Sequence, residues 1–282
     1  MTELNASNGS RVRILSGGKY GFDIPVAIAV DAAHIWVTNS PPFSGASVTE
    51  LSAINGSFVR TLSGHPYAFD SLDGIADDDG TSIWVTNSGL SDSGSVTEIA
   101  ASDGSWVRTP TGRGYAFNDP EAIAVDGAHI WVANSGGNSV TELDASNGSW
   151  VRTLSGSKYA FNHPDGIAVD GAHVWVANSA GNSVTELNAS NGSLIRTLSG
   201  GSYGFDRPHA IAVDGTHVWV TNTPDTQTGG SVTVMNSSDG SWARTLSASS
   251  YHFADPDAIA VDGNRIWVAN YGSSSVTELT VG

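Results

Sequence analysis

The sequence predicts an all-β fold, a six-bladed β-propeller of four-stranded antiparallel blades, and three observations carry that expectation. The string Ile/Val-Trp-Val-Ala/Thr-Asn occurs six times, centred on Trp36, Trp84, Trp131, Trp175, Trp219 and Trp267 at spacings of 48, 47, 44, 44 and 48 residues. Units of about 40–50 residues repeated along a chain are the mark of blade arrays. Within each unit, short segments rich in Val, Ile, Thr and Trp alternate apolar and polar positions, which is the period of a half-buried strand, and no helical period appears.

The elements follow in order. A first strand of the type AIAVD opens after a proline in most units and ends in a turn, D-G in most units. A second strand (HIWVAN) leads to a loop of variable length, and a third (SVTEL) to an S-N-G or S-D-G turn and a fourth (SWVRTL). Gly, Asn and Asp at those turns tolerate the positive φ that tight hairpins demand. The fourth strand recurs at 10–15, 57–62, 105–109, 149–154, 193–198 and 241–246, whereas the sixth unit stops after its third strand at 275–279. Pairing 10–15 with 275–279 is therefore expected to close the ring, with residues 1–15 completing the last blade and 1–282 forming one domain. Thr2–Leu4 duplicates a third strand without a place for it, and is expected to be frayed or displaced.

Composition narrows the function. Twelve Lys and Arg stand against 28 Asp and Glu, a formal net charge of −16, so nucleic acid and anionic membrane surfaces are not expected partners. Without cysteine there is no disulfide, thiolate metal site or thiol nucleophile. No apolar run reaches membrane-spanning length, and the polar start MTELNASNGS does not read as a signal peptide. A monomer is expected, with the compartment open but leaning to a bacterial, secreted or extracytoplasmic setting.

The units P-x-[AG]-I-A-V-D-G…[IV]-W-V-[AT]-N resemble NHL-type and related bacterial propeller repeats over essentially the whole chain, and more distantly the virginiamycin B lyase and gluconolactonase/regucalcin propellers. Such repeats serve sensors, protein-binding scaffolds and enzymes alike. The regucalcin-like resemblance implies a divalent cation held by Glu, Asn and Asp at the top of the channel, although lactonase-specific motifs are not found. Units three and four are nearly identical, as recent amplification or design of an array would leave them.

Candidate site residues lie where the repeats differ. The residue after the opening proline, or its equivalent, is Val26, Asp73, Glu121, Asp165, His209 or Asp257. Carboxylates crowded at one mouth raise one another's pKa or recruit a hard cation, so Asp73, Glu121, Asp165 and Asp257 are candidate ligands for Ca²⁺ or Mg²⁺. His209 with Glu121 or Asp165 would supply a general acid–base pair; solvated loop residues are the alternative. The residues before the proline include Ile24, Asp119, His163, Arg207 and Asp255, with His163, Arg207 and His209 forming a local basic group among acids. The asparagines ending the second strand, among them Asn39, Asn134, Asn178 and Asn270, either cap turns or face a ligand. Loops after that strand are long in units one, two and five, and Phe43, Leu90 and Tyr271 are candidates to line a partly apolar pocket there.

Other repeated residues read as structural. The six Trp and the Tyr-x-Phe pairs are expected to pack between blades. His34, His129, His173 and His217 read as surface strand residues, the outer-strand arginines as guards against edge pairing, and Asp77–Gly80 as an acidic turn. Three functions fit: a binding or sensing module taking a small molecule or peptide at an acidic top face, a metal-assisted lyase or lactone hydrolase, and a repeat scaffold without activity.

Overall fold

A computed structural model describes residues 1–42, 45–89, 94–225 and 229–280. Its elements are β1 (Thr2–Leu4), β2 (Arg11–Ile14), β3 (Pro25–Val30), β4 (His34–Asn39), β5 (Ser47–Ser52), β6 (Phe58–Ser63), β7 (Leu72–Asp78), β8 (Ser82–Asn87), β9 (Ser95–Ala100), β10 (Trp106–Arg108), β11 (Pro120–Val125), β12 (His129–Asn134), β13 (Ser139–Asp144) and β14 (Trp150–Ser155). The chain continues with β15 (Pro164–Val169), β16 (His173–Asn178), β17 (Ser183–Asn188), β18 (Leu194–Ser199), β19 (Pro208–Val213), β20 (His217–Asn222), β21 (Ser231–Asn236), β22 (Trp242–Ser247), β23 (Pro256–Asp262), β24 (Arg265–Asn270) and β25 (Ser275–Thr280). Among the described residues, helix is confined to single turns at Gly18–Tyr20, Ala248–Tyr251 and Tyr271–Ser273. Sheets of consecutive antiparallel strands, β3–β6, β7–β10, β11–β14, β15–β18, β19–β22 and β23–β25, are the blades of a six-bladed β-propeller.

The chain forms two compact units, Met1–Thr153 and Leu154–Gly282. In the first, the innermost strands β3, β7 and β11 lie side by side; in the second, β15, β19 and β23 do. The tryptophans sit where the repeat places them. Trp36 packs with Leu72, Ile75 and Val85 of the next blade, and Trp219 with Ile266 and Val268 of its own next blade. Each Tyr-x-Phe pair stacks with ring centroids 5.3–5.7 Å apart. Pro110 replaces the leucine of the fourth strand in blade 2, and β10 is correspondingly only three residues long.

The expected pairing of 10–15 with 275–279 is not the one the chain makes. β2 is bonded to β1 in the register Thr2↔Ile14, Glu3↔Arg13 and Leu4↔Arg11, and among the described residues the last sheet ends at β25. The reason is local: Asn5-Ala-Ser-Asn-Gly is the same turn that joins third and fourth strands in the other blades, so closing this short loop costs far less entropy than a pairing across the chain. Arg13 Nε also meets Glu3 Oε2 at 2.6 Å. Thr2–Leu4, expected to be frayed or displaced, is thus a strand.

The histidines and arginines are likewise not surface ornaments. In blade 3, His129 lies between Asp126 (3.3 Å) and Glu142 (3.8 Å), and Arg152 Nε reaches the other oxygen of Glu142 at 2.9 Å. The indole of Trp131 donates to the same aspartate at 3.4 Å. Blades 1 and 4 repeat this chain as Asp31–His34–Glu50–Arg60 and Asp170–His173–Glu186–Arg196. The glutamates are buried, and a buried carboxylate survives only when paired.

Candidate functional site

Every residue singled out after the opening proline sits in a β-bulge. The ladder between first and second strands slips between Leu72 and Ile75, Pro120 and Ala122, Pro164 and Gly166, Pro208 and Ile211, and Pro256 and Ala258. Asp73, Glu121, Asp165, His209 and Asp257 therefore occupy the extra positions that a bulge frees from pairing and re-aims. In blades 1, 2 and 5 the loosened backbone is tied down by a threonine of the second strand: Thr38, Thr86 and Thr221 accept from the N–H of Ala27, Gly74 and Ala210 at 2.7–2.9 Å.

The residue before each proline takes a left-handed conformation, with φ of 50° at Ile24, 55° at Asp119, 49° at His163, 51° at Arg207 and 54° at Asp255. That is costly for a side chain bearing Cβ, doubly so before proline. What holds it is a hydrogen bond to its carbonyl from the residue after the strand-2 asparagine: Ser40, Ser135, Ser179, Thr223 and Tyr271. The strain thus fastens two loops of one blade together and fixes where Arg207 and Asp255 project.

In the second unit these loops enclose a cleft of about 410 Å³ lined by Arg207, His209, Thr223, Pro224, Asp225, Asp255, Asp257 and Tyr271. His209 Nδ1 lies 2.9 Å from the carbonyl oxygen of Asp257 and 3.6 Å from its carboxylate. A carbonyl only accepts, so Nδ1 carries the proton and the lone pair of the neutral ring is on Nε2. Arg207 is ion-paired with Asp225, and its backbone N–H donates to Asn182 Oδ1 at 2.7 Å. Thr223 Oγ donates to the carbonyl of Pro256 at 2.8 Å, tying the long loop of blade 5 to blade 6. Tyr271 leaves 75% of its surface exposed. The cleft offers a guanidinium, an imidazole, a phenol and three carboxylates to one small polar guest.

Of the residues expected from sequence, the cleft gathers Arg207, His209, Asp255, Asp257 and Tyr271. Asp165 and His163 lie in the same unit but not in its lining. Gly166, next to Asp165, rests against the carbonyl of His209 so closely that a Cβ would approach it to 2.2 Å. Asp73 and Glu121 belong to the first unit, where Gly74 lies against the carbonyl of Glu121. Burial pushes the Asp73 carboxyl above its usual range, Ser88 opposes this by hydrogen bonding, and the Asp119 charge adds to it. Among the described residues, no three His, Asp or Glu side chains converge closely enough to hold a metal ion. Phe43 and Leu90 lie outside the described residues.

Asn39, Asn134, Asn178 and Asn270 are at most 2% exposed, beneath the loops. Each donates to the threonine of the third strand at 3.0–3.1 Å, and Asn39, Asn178 and Asn270 accept from the backbone of the preceding loop at 3.2–3.4 Å. Direct contact with a ligand, one of the two roles open to them, is closed off by this burial. Thr223, Pro224 and Asp225 were not singled out in the sequence, although the pointer was there: the loop NTPDTQTGGS is the longest departure from the repeat.

No protein-family model matches the chain, and no curated protein matches it. Solved structures do. A functionally unknown protein from Desulfotomaculum acetoxidans superposes with a TM-score of 0.72 at 16% identity, covering 99% of this chain and 88% of that one. A putative 6-phosphogluconolactonase from Bacteroides uniformis gives 0.71 at 13% identity (100% and 87%), and Kuenenia stuttgartiensis hydrazine synthase 0.69 at 17% (95% and 79%). At such identities the likeness is one of fold: what the chain shares with them is the β-propeller.

Proposed function

We propose that this chain is a ligand-binding, sensing propeller built from NHL-type repeats, and that the cleft of the second unit takes a small polar molecule or the end of a peptide. One observation carries the reading. Two bulged positions, His209 and Asp257, and the long loop of blade 5, the longest departure from the repeat, line one cleft of ligand size. A scaffold selected for self-packing alone has no need to vary there.

A second reading, a lyase or lactone hydrolase, draws on His209. Its protonated nitrogen is held by Asp257, leaving the other to take a proton from a bound substrate. The fold shared with a putative 6-phosphogluconolactonase favours testing lactones first.

Melting curves of the full chain with neutral sugars, sugar lactones, amino acids, short peptides, Ca²⁺ and Mg²⁺ test both. A binder at a hundredfold its Kd stabilises by about 2.7 kcal/mol, which is a readable shift of several degrees. His209→Ala and Tyr271→Ala should abolish the shift, and Val26→Ala in the first unit should leave it. A shift that survives both cleft variants would place the site elsewhere. Lactone consumption lost in His209→Ala would favour the enzyme, and a shift confined to Ca²⁺ or Mg²⁺ would restore the cation expected from the sequence.

A further inference from the structure

Given that the second-unit cleft is the binding site, as proposed above, its charge decides which polar guest it holds. The lining carries one guanidinium, Arg207, against three carboxylates, Asp225, Asp255 and Asp257. Arg207 is already paired with Asp225. Asp257 faces His209, whose Nδ1 lies closer to the main-chain carbonyl, at 2.9 Å, than to the carboxylate, at 3.6 Å. Among the described residues, no Lys, Arg or His stands within ion-pair distance of Asp255. With the imidazole neutral, the cleft therefore presents two carboxylates that its own cation does not match, and the charge complement has to come from the guest.

Geometry says which kind of cation fits. A metal ion gathers its oxygen ligands around one centre, and no such convergence of His, Asp or Glu is present among the described residues. An organic cation spreads its donors over several ångströms and so meets groups that stand apart. The groups here are of the kinds an ammonium needs: Asp255 and Asp257 accept its N–H bonds, the Nε2 lone pair of His209 accepts a further one, and the exposed ring of Tyr271 offers a face for a cation–π contact. Two of them are held side by side before any guest arrives. The Asp255 N–H donates to the carbonyl of Gly229 at 2.9 Å, and the Asp255 carbonyl accepts from the Tyr271 N–H at 2.9 Å, so their backbones are fixed and little ordering is left for binding to impose.

We propose that the cleft binds a small organic amine in its protonated form, with the ammonium group between Asp255 and Asp257 and the carbon skeleton against Tyr271. Primary amines are charged at neutral pH, and the chain's formal charge of −16 draws them toward the surface. A cleft of about 410 Å³ takes the skeleton of an amino sugar or a short diamine along with the charge. Arg207 works against such a guest and Asp225 holds that charge back.

Calorimetric titration of the full chain at pH 7 tests this with probes that differ chiefly in charge: glucosamine against glucose and glucuronate, and diaminobutane against butanediol. The two series separate an amino sugar from a plain diamine as the source of the ammonium group. An amine is expected to bind roughly tenfold more tightly than its neutral counterpart and to weaken as salt is added. Asp255→Asn and Asp257→Asn should each cost roughly tenfold, whereas Arg207→Gln, which removes a like charge, should tighten binding. Asp103→Asn controls for net charge. Its turn is closed in the same way by Asn55 and Asn147 in blades 1 and 3, and amine affinity should not change. A neutral or anionic counterpart bound as tightly as the amine, or no binding of either amine at millimolar concentration, would overturn the proposal; neutral-guest binding lost in Tyr271→Ala would still leave the cleft as the site. Amine binding unchanged in Asp255→Asn, Asp257→Asn and Tyr271→Ala would overturn the cleft itself as the site.

Discussion

A tryptophan, an aspartate, a histidine, a glutamate and an arginine recur together in blades 1, 3 and 4, and each holds the next in place. Glu142 shows what this costs. Burial pushes its carboxyl above the usual range while the charges of Arg152 and His129 pull it back. Removing the arginine leaves an unmatched buried charge, so Arg152→Ala should destabilise the fold by roughly 3 kcal/mol at pH 7, read from urea midpoints; the deficit should shrink toward pH 4 as the carboxylate takes up a proton. Blade 5 departs, with Val234 in place of the glutamate and Arg244 over the Trp219 ring at 5.7 Å. There burial raises the Asp214 carboxyl, but hydrogen bonds from Thr216, Trp219 and the His217 backbone outweigh it and hold the pKa at about 2. A depressed carboxyl stabilises the fold above its unfolded pKa, about 3.9, and loses that contribution as pH falls. Asp214→Asn should therefore be less stable than the parent at pH 7, with the two converging between about pH 4 and 2. Asp73 has the opposite sign: its raised carboxyl favours the protonated form, and Asp73→Asn should raise the melting temperature at pH 7.

At the level of elements, the bulge is the device that separates site from scaffold. One extra residue per first strand turns a side chain away from the ladder without disturbing the alternation that follows. This much was legible: the proline, the variable residue after it and the constant AIAV behind it mark a position that varies while its neighbours do not. The asparagines were legible only as a choice between two roles, because a repeat that is invariant across blades looks the same whether it serves folding or binding; burial decides it. The histidines were misread because strand alternation says which face a side chain takes, not what stands opposite it on the next strand. Close approach of β15 to β19 is a further element-level requirement. Gly166→Ala puts a methyl group against the His209 carbonyl, and strain of about 1–3 kcal/mol is expected. The variant should stay folded but lose affinity in the cleft, as a binding isotherm for any compound found to shift the parent would show.

For the molecule as a whole, the period of the tryptophans and the count of strands led to the propeller without help from any relative. The pairing at the ends was not readable in the same way. Two copies of a third strand compete for one fourth strand, and sequence similarity alone cannot weigh a short hairpin against a distant partner. The cleft was half visible, since Arg207, His209 and Tyr271 differ from their equivalents in other blades, but the proximity of Thr223 and Asp225 depends on how one long loop folds. The charge of −16 biases the surface toward cationic or neutral guests and gives encounter with charged ones a salt dependence. The most direct test is diffraction from crystals soaked with a panel of polar fragments. The account predicts fragment density between Arg207, His209 and Tyr271; fragments bound only elsewhere, with solvent alone in that cleft, would contradict it.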